Sequence, residues 1–378
     1  MPIDRHEIIA EGIALGFEPD CGMIADLTVT DEGRAIAPMH KVPWMGEDLP
    51  PDTAPHLRRM QGDFFCAPFA GTGQPGELFH GHTANATWRV MPRDGGLSLL
   101  RAVLDQTVRG ALAVKELSVS DGHPFLYQRH IFFGGTGDLT LANHAMVSLP
   151  NGGKLSFSRK RWFENCAAAP EGDPAAGRSM LAYPRRSEDP MAFPTAAGGT
   201  VNLLRYPWAE GHEEFMVAVE EPSTPLGWSA VVRPVEGDVY LSLRNPRVLP
   251  MTMLWHSNGG RDLPPWSGRH LHCLGVEEGA ALPMLGLSSQ ESPDPLSAAG
   301  QPGALRLVPD GMAEVRHVTG AIAWPSGQSI AAVQLDGDVL TITGDWGAER
   351  RVPIRGDYLR LPVPVSAAPV ARVDRDVF

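Results

Sequence analysis

The feature that most restricts the fold of this sequence is the recurrence of short segments in which apolar and polar residues alternate. A period of two is typical of β-strands with one buried face. Turn-forming residues separate the segments, and the chain contains 41 glycines and 35 prolines, which interrupt helices. We therefore predict an all-β fold, a large antiparallel β-sandwich. The predicted strands are residues 22–29, 86–91, 97–104, 111–119, 124–133, 139–149, 154–163, 214–220, 228–234, 239–244, 252–256 and 270–277.

Helical patterning is nearly absent from the sequence. Only residues 4–15, where isoleucines and a leucine recur among charged residues, predict a short helix. Residues 167–199 are rich in proline, alanine and glycine without periodicity, which indicates a surface excursion and not a linker between domains. We therefore predict one domain over residues 1–378, with additional β-hairpins at about 322–378.

The charge balance restricts the partners of the chain. A net charge of -12 repels a phosphate backbone and an anionic membrane surface, so we expect neither nucleic acid nor a membrane as a partner. The chain has no apolar run of membrane-spanning length, and its first residues are too charged for a signal peptide, so we expect a cytoplasmic protein. The 4 cysteines are far apart and form no C-x-x-C pair, which indicates reduced core residues. The oligomeric state stays open.

Three motifs stand in order along the chain. They are His80-Gly81 followed by Asn85 and Trp88, Asn143-His144 on the predicted strand 139–149, and Glu277 after the apolar run 274–276. Together they resemble the motifs of the galactose mutarotase (aldose 1-epimerase) superfamily, and the first is most similar to that of its hexose-phosphate epimerase branch. The resemblance extends over about residues 15–321. It implies a mutarotase-type sandwich that acts on a carbohydrate without a cofactor or a metal ion.

The resemblance also implies catalytic roles. Glu277 would be the general base on the anomeric hydroxyl, His144 the general acid at the ring oxygen, and His80 a second hydrogen-bond donor. A carboxylate and an imidazole can hold the two protonation states that anomer exchange needs. The superfamily also uses an acidic residue between the second histidine and the glutamate to bind sugar hydroxyls, and Glu213 or Glu214 occupies that stretch. The predicted substrate-binding residues are Asn85, Asn143, Glu214, Trp88 and Trp255, the tryptophans as aromatic walls for a pyranose.

One departure from the motif bears on the substrate. Ala84 stands where the hexose-phosphate branch has an arginine, the side chain best suited to bidentate phosphate contact. We therefore expect an aldose 1-epimerase-like isomerase that interconverts the anomers of an unphosphorylated sugar.

Two alternative functions stay open. The first is a carbohydrate-binding protein on the same scaffold without turnover. The second is a cupin-like metal protein, in which His270, His272 and Glu277 would surround an ion, although the sequence supplies no further histidine at a suitable spacing downstream.

Overall fold

The structure is a computed structural model that describes residues 4–71, 78–93, 96–282, 296, 300–325 and 327–360. Within these residues, one four-residue α-helix, α1 (Pro55–Arg58), and two short 3-10 helices (His82–Ala84 and Pro190–Ala192) accompany the strands. The strands are β1 (His6–Ala10), β2 (Ile13–Glu18), β3 (Met23–Asp31), β4 (Arg34–Ile36), β5 (Phe65–Cys66), β6 (Trp88–Val90), β7 (Leu99–Leu104), β8 (Ala111–Ser118), β9 (Phe125–Gly134), β10 (Gly137–Leu139), β11 (Leu141–Ser148), β12 (Gly153–Phe157), β13 (Lys160–Asn165), β14 (Arg186–Ser187), β15 (Phe193–Pro194), β16 (Thr200–Val201), β17 (Arg205–Tyr206), β18 (His212–Glu220), β19 (Gly227–Arg233), β20 (Asp238–Arg244), β21 (Met251–Asn258), β22 (Cys273–Ala280), β23 (Leu305–Leu307), β24 (Met312–Ala323), β25 (Ile330–Asp336), β26 (Val339–Gly344) and β27 (Glu349–Pro353).

Two large sheets form the body of the molecule. One has seven strands in the order β14-β13-β18-β21-β22-β11-β5, and the other has nine in the order β17-β12-β19-β20-β24-β9-β8-β7-β6. Their facing sides share an apolar cluster, to which β11 contributes Val147, β22 contributes Val276 and β20 contributes Tyr240. Every pairing between the described strands of these sheets is antiparallel. The predicted all-β, antiparallel sandwich is confirmed.

The predicted helix at residues 4–15 is wrong, because this segment forms the hairpin β1–β2. Gly12 has φ of 84°, a left-handed conformation that suits a tight hairpin turn and favours glycine. Ile13, Leu15 and Phe17 are buried on one face of β2, a period of two that the helical interpretation missed.

Two predicted strand boundaries also change. The predicted strand 154–163 is two strands, since β12 belongs to the nine-stranded sheet and β13 to the seven-stranded sheet. The chain crosses from one sheet to the other at Ser158, whose side chain accepts from the Trp228 amide. Strand β22 begins at Cys273 and not at residue 270, so His270 and His272 precede it.

Strands β25, β26 and β27 form a separate three-stranded antiparallel sheet near the C-terminus. Val333, Leu340 and Ile342 of this sheet pack in one apolar cluster with Val239 and Leu241 of the nine-stranded sheet. Residues 361–378 of the predicted hairpin extension lie outside the described residues. Within the described ranges, no helix has the length and apolar character of a membrane span.

The second face of the seven-stranded sheet is where the site forms. Phe64 and Met60, from the chain that leads into β5, share an apolar cluster with Met253 and Trp255 of β21. The turn that contains His80 lies at the edge of the same region, since the His80 amide donates to the Ala70 carbonyl. Polar side chains of β11 and β22 thereby become enclosed between the sheet and these loop segments.

Candidate functional site

His80 lies in a strained turn that fixes its imidazole. His80 and Gly81 have φ of 65° and 67°, and a Cβ on Gly81 would lie 2.1 Å from the Ala67 carbonyl oxygen, so only glycine fits at 81. The Ala70 amide donates to Nδ1 of His80 at 3.2 Å. A neutral imidazole that accepts at Nδ1 carries its proton on Nε2, so His80 can donate a hydrogen bond from Nε2.

Asn85 supports this turn. Its amide nitrogen donates to the carbonyls of Phe79 and Gly81, both at 2.8 Å. Its carbonyl oxygen lies 2.7 Å from Nδ1 of His56. Asn85, predicted as a sugar ligand, therefore holds the His-Gly turn and His56 in place.

His144 and Glu277 are direct neighbours on adjacent strands. His144 of β11 pairs with Glu277 of β22 in the antiparallel register, and both side chains point to the loop-covered face. Nε2 of His144 lies 3.2 Å from Oε1 of Glu277. The contact lacks hydrogen-bond geometry, and neither oxygen of Glu277 has a hydrogen-bond partner among the described residues.

Burial shifts both groups of this pair toward their uncharged forms. Burial, with a smaller effect from Asp63, raises the pKa of Glu277 well above its ordinary value. Burial lowers the pKa of His144 to about 3. The Phe64 ring stacks on the His144 imidazole at a centroid distance of 4.4 Å and contributes to its removal from water. Burial thus favours the uncharged form of both groups.

A cavity of about 360 Å³ opens onto these groups, within the size range of small-molecule sites. His80 and His144 meet edge to face in its wall, with ring centroids 5.2 Å apart. Trp255 forms part of the apolar wall, and its ring centroid lies 5.7 Å from that of His144. The lining residues include His56, Phe69, His80, His144, Phe215, Trp255, Arg261, Trp266 and Glu277.

Four residues predicted to bind sugar do not line the cavity, and Asn85 of the His-Gly turn is one of them. Asn143 precedes His144 on β11 and therefore lies on the opposite face of the sheet, where it is fully buried. Glu214 faces the same way as Asn143 and accepts from the Tyr183 hydroxyl at 2.7 Å. Trp88 is a core residue whose indole nitrogen donates to the Thr83 carbonyl.

Glu213, which the sequence left as the alternative to Glu214, lies on the cavity side. It accepts from the Trp255 indole at 2.5 Å and from the Ser257 hydroxyl at 2.8 Å. Arg261 lies 3.5 Å from Glu213 and reaches the cavity. No motif pointed to Arg261 or to His56, which come from a loop and from α1.

The cupin-like arrangement does not form. His272 is exposed, and His270 and Glu277 lie on separate segments. Among the described residues, the group whose potential ligand atoms lie within 4.8 Å of one another is His40, His270 and Cys273.

No protein-family model matches the sequence, and no curated protein matches it significantly. Solved structures do match the fold. One is a protein of Escherichia coli K12 provisionally named an aldose 1-epimerase, with a TM-score of 0.55 and 11% identity over 84% of this chain and 98% of that one. The Slr1438 protein of Synechocystis sp. PCC 6803 has a TM-score of 0.54 and 12% identity over 85% and 97% of the two chains.

A third match is a protein of Salmonella typhimurium provisionally named a mutarotase, with a TM-score of 0.51 and 9% identity over 84% of this chain and 90% of that one. The matched structures are covered almost completely, so the likeness extends over a whole sandwich and not over one sheet. Identities this low show the architecture alone. The chain has the galactose mutarotase-like fold.

Proposed function

We propose that the protein is an aldose 1-epimerase-like isomerase that exchanges the anomers of an unphosphorylated sugar. The observation that carries the proposal is the His144–Glu277 pair, 3.2 Å apart in the wall of the cavity, with both carboxyl oxygens free of hydrogen-bond partners within the described structure. Buried polar groups are normally paired, and an unpaired carboxyl beside a cavity indicates a group that acts on a ligand.

The pair can supply both protons of the reaction. In the state of the pair that carries its proton on His144, the Glu277 carboxylate takes the proton of the anomeric hydroxyl. The imidazolium gives its proton to the ring oxygen while the C1–O5 bond breaks, which leaves an open-chain aldehyde and an uncharged pair. After rotation about C1–C2, the same steps in reverse close the ring on the other face. Proton gain and loss balance at each step.

The cavity offers matching contacts for a sugar. Trp255 presents an aromatic surface to the apolar face of a pyranose. The Nε2–H of His80 and the ring of His56 border the same space and can bind hydroxyls. Polar groups at a few points of an apolar wall are typical of small-molecule sites.

The surroundings of Arg261 bear on whether the substrate carries a phosphate group. Its guanidinium lies 3.5 Å from Glu213 and 4.8 Å from the centre of the Trp266 ring. The fully buried Glu213 carboxylate compensates the charge of Arg261, which weakens its attraction for a phosphate. This supports an unphosphorylated substrate, as does Ala84 in the first motif.

Exchange NMR on freshly dissolved aldoses tests the proposal. Wild type should accelerate anomer exchange for at least one common aldose, and Glu277→Gln should not. Glu349→Gln, on the exposed strand β27, is a matched control that should keep full activity. If wild type accelerates no aldose but its melting temperature rises with sugar, the protein is a carbohydrate-binding protein and the proposed reaction is wrong.

A further inference from the structure

A second group of side chains lies behind the cavity wall and has no part in the proposed reaction. A ring nitrogen of His40, a ring nitrogen of His270 and the sulfur of Cys273 all lie within 4.8 Å of one another. His270 and Cys273 are buried, and His40 is half-buried. The three come from the segment before β5, from the loop before β22 and from the first residue of β22.

Two ring nitrogens in this group lack hydrogen-bond partners among the described residues. Nε2 of His40 and Nε2 of His270 are both buried, and neither has a hydrogen-bond partner among the residues that the structure describes. His270 is 1% exposed, so water does not readily satisfy it. Two unpaired imidazole nitrogens beside a buried thiol are costly without a ligand.

The tautomer of His270 follows from its other nitrogen. Nδ1 of His270 lies 2.7 Å from the Ser257 hydroxyl, which in turn lies 2.8 Å from Oε2 of Glu213. A carboxylate only accepts, so the hydroxyl proton of Ser257 goes to Glu213 and Nδ1–H of His270 donates to the Ser257 oxygen. Nε2 of His270 is then unprotonated and keeps a lone pair that has no partner among the described residues. A ligating histidine whose other nitrogen is held by such a chain is typical of metal sites.

We propose that His40, His270 and Cys273 form a zinc site. Two imidazoles and one thiolate suit this borderline-soft ion. Tetrahedral bonds of about 2.0 Å to nitrogen and about 2.3 Å to sulfur place ligand atoms about 3.3 to 3.6 Å apart, so the group must contract by at most about 1.5 Å. Cys273 loses its thiol proton to solvent when the ion binds. Water would take the fourth tetrahedral position.

The site would act on structure and not on the sugar. It links the segment of His40 to β22, residues far apart in the sequence, and such a link restricts the unfolded chain. Trp255 stacks on His270 at a centroid distance of 5.3 Å, and Trp266 meets the same ring edge to face at 5.0 Å. Both tryptophans line the cavity, so the ion would hold one wall of it in place.

Metal titration of tag-free protein, stripped with a chelator and then desalted, tests the proposal. Wild type should bind about one Zn²⁺ per chain by elemental analysis and should melt at a higher temperature with zinc than without. Co²⁺ should give a thiolate-to-cobalt charge-transfer band in the near ultraviolet. Cys273→Ala should lose that band and weaken zinc affinity on the order of 10²-fold or more.

Two further variants make the test decisive. Cys21→Ala removes another buried cysteine and should keep both the band and the zinc affinity. His40→Ala changes a half-buried position that a folded chain tolerates, and it should weaken zinc binding while leaving circular dichroism unchanged. Stripped wild type that binds no Zn²⁺, or a cobalt band that survives Cys273→Ala, would overturn the site. Anomer exchange is not a readout here, so either result leaves the proposed reaction standing.

Discussion

Glu277 and Glu278 are consecutive residues of β22, and their surroundings differ in nearly every respect. Glu278 faces the interior between the two sheets, where it accepts from Ser229 at 2.7 Å and pairs with the Arg244 guanidinium at 2.9 Å. Glu277 faces the cavity, where its oxygens have no donor in the described part of the chain. Both side chains are almost fully buried.

The difference separates a structural carboxylate from a reactive one. The hydroxyls of Ser242 and Thr252 also donate to Glu278, at 3.0 and 2.8 Å, so its charge is fully solvated by the protein. Such a group contributes to folding and has no free lone pair for a ligand. Glu277 has the reverse properties, since its desolvation costs stability and leaves its oxygens available to a substrate.

The largest effect, a loss of unfolding free energy, is expected from Glu278→Gln. The substitution leaves the buried Arg244 without one of its two carboxylate partners and disturbs the hydroxyls around it. Breaking a buried ion pair by removal of one partner typically costs about 3 to 5 kcal/mol. Urea unfolding should show that loss relative to the exposed control Glu349→Gln. A loss below about 1 kcal/mol would mean that Glu278 is not a structural group.

Glu277→Gln should have the opposite effect, a loss of activity without a loss of stability. Anomer exchange should fall by about 10²-fold or more, equivalent to about 2.7 kcal/mol in the barrier, because one general base is removed. Stability at neutral pH should stay the same or rise, because glutamine is uncharged in both states, whereas Glu277 is ionised in the unfolded chain and its charged form is disfavoured on burial. Exchange NMR and thermal unfolding of the same preparation measure both. A variant that loses activity only because it has unfolded would contradict the comparison.

The pH dependence of activity sharpens the same contrast. The proposed reaction needs one transferable proton on the His144–Glu277 pair. A solvent-exposed pair would hold it between about pH 4.3 and 6.5. Here burial lowers the pKa of His144 to about 3 and raises that of Glu277 well above its ordinary value, so the active range should be wider at its acid end.

On the alkaline side, the rate should fall about tenfold per pH unit once Glu277 loses its proton. Initial rates after brief pH jumps, with circular dichroism to confirm folding, give this profile. A rate that climbs steadily with pH through neutrality would show that the fully deprotonated pair is the active form.

The raised pKa of Glu277 should also affect how the melting temperature depends on pH. Its folded pKa is raised, so the folded state favours the protonated form and its contribution to stability is complete below the unfolded pKa. That contribution is lost as pH rises toward the folded pKa. The melting temperature of wild type should therefore decline relative to Glu277→Gln across this range. Parallel curves for the two proteins would contradict the raised pKa.

The sequence predicted the strands, and the residues that converge on the cavity, better than the positions of the other polar residues. Alternation of apolar and polar residues follows from burial of one face of a strand. The motifs singled out His80, His144 and Glu277, and these three residues line one cavity. Neighbouring residues of a strand face opposite ways, however, so Asn143 cannot share the face of His144. The same one-residue ambiguity separated Glu213 from Glu214.

Other positions could not be predicted because folding alone brings them together. Arg261 reaches the cavity from a loop after β21, and His56 reaches it from α1. His40 and His270 lie close together in the structure, although they are far apart in the sequence and no sequence motif links them. Residues 4–15 show the converse case, in which the spacing of the isoleucines fitted a helix as well as the hairpin that formed.

The smallest effect on activity is expected from Trp255→Phe. This substitution tests the wall of the cavity and not its acid–base pair. Phenylalanine keeps an aromatic surface but removes the indole N–H that donates to Glu213 at 2.5 Å. A hydrogen bond to a charged group contributes about 1.5 to 3 kcal/mol, but Glu213 keeps Ser257 and Arg261, so only part of this should be lost. We expect KM for the sugar to rise several-fold with kcat nearly unchanged, because a wall residue binds ground state and transition state alike.

Trp162→Phe, on the more distant strand β13 of the same sheet, is the matched control and should leave KM unchanged. A loss of kcat equal to that of Glu277→Gln would mean that Trp255 positions the reacting groups, and the separation between wall and acid–base pair would then fail.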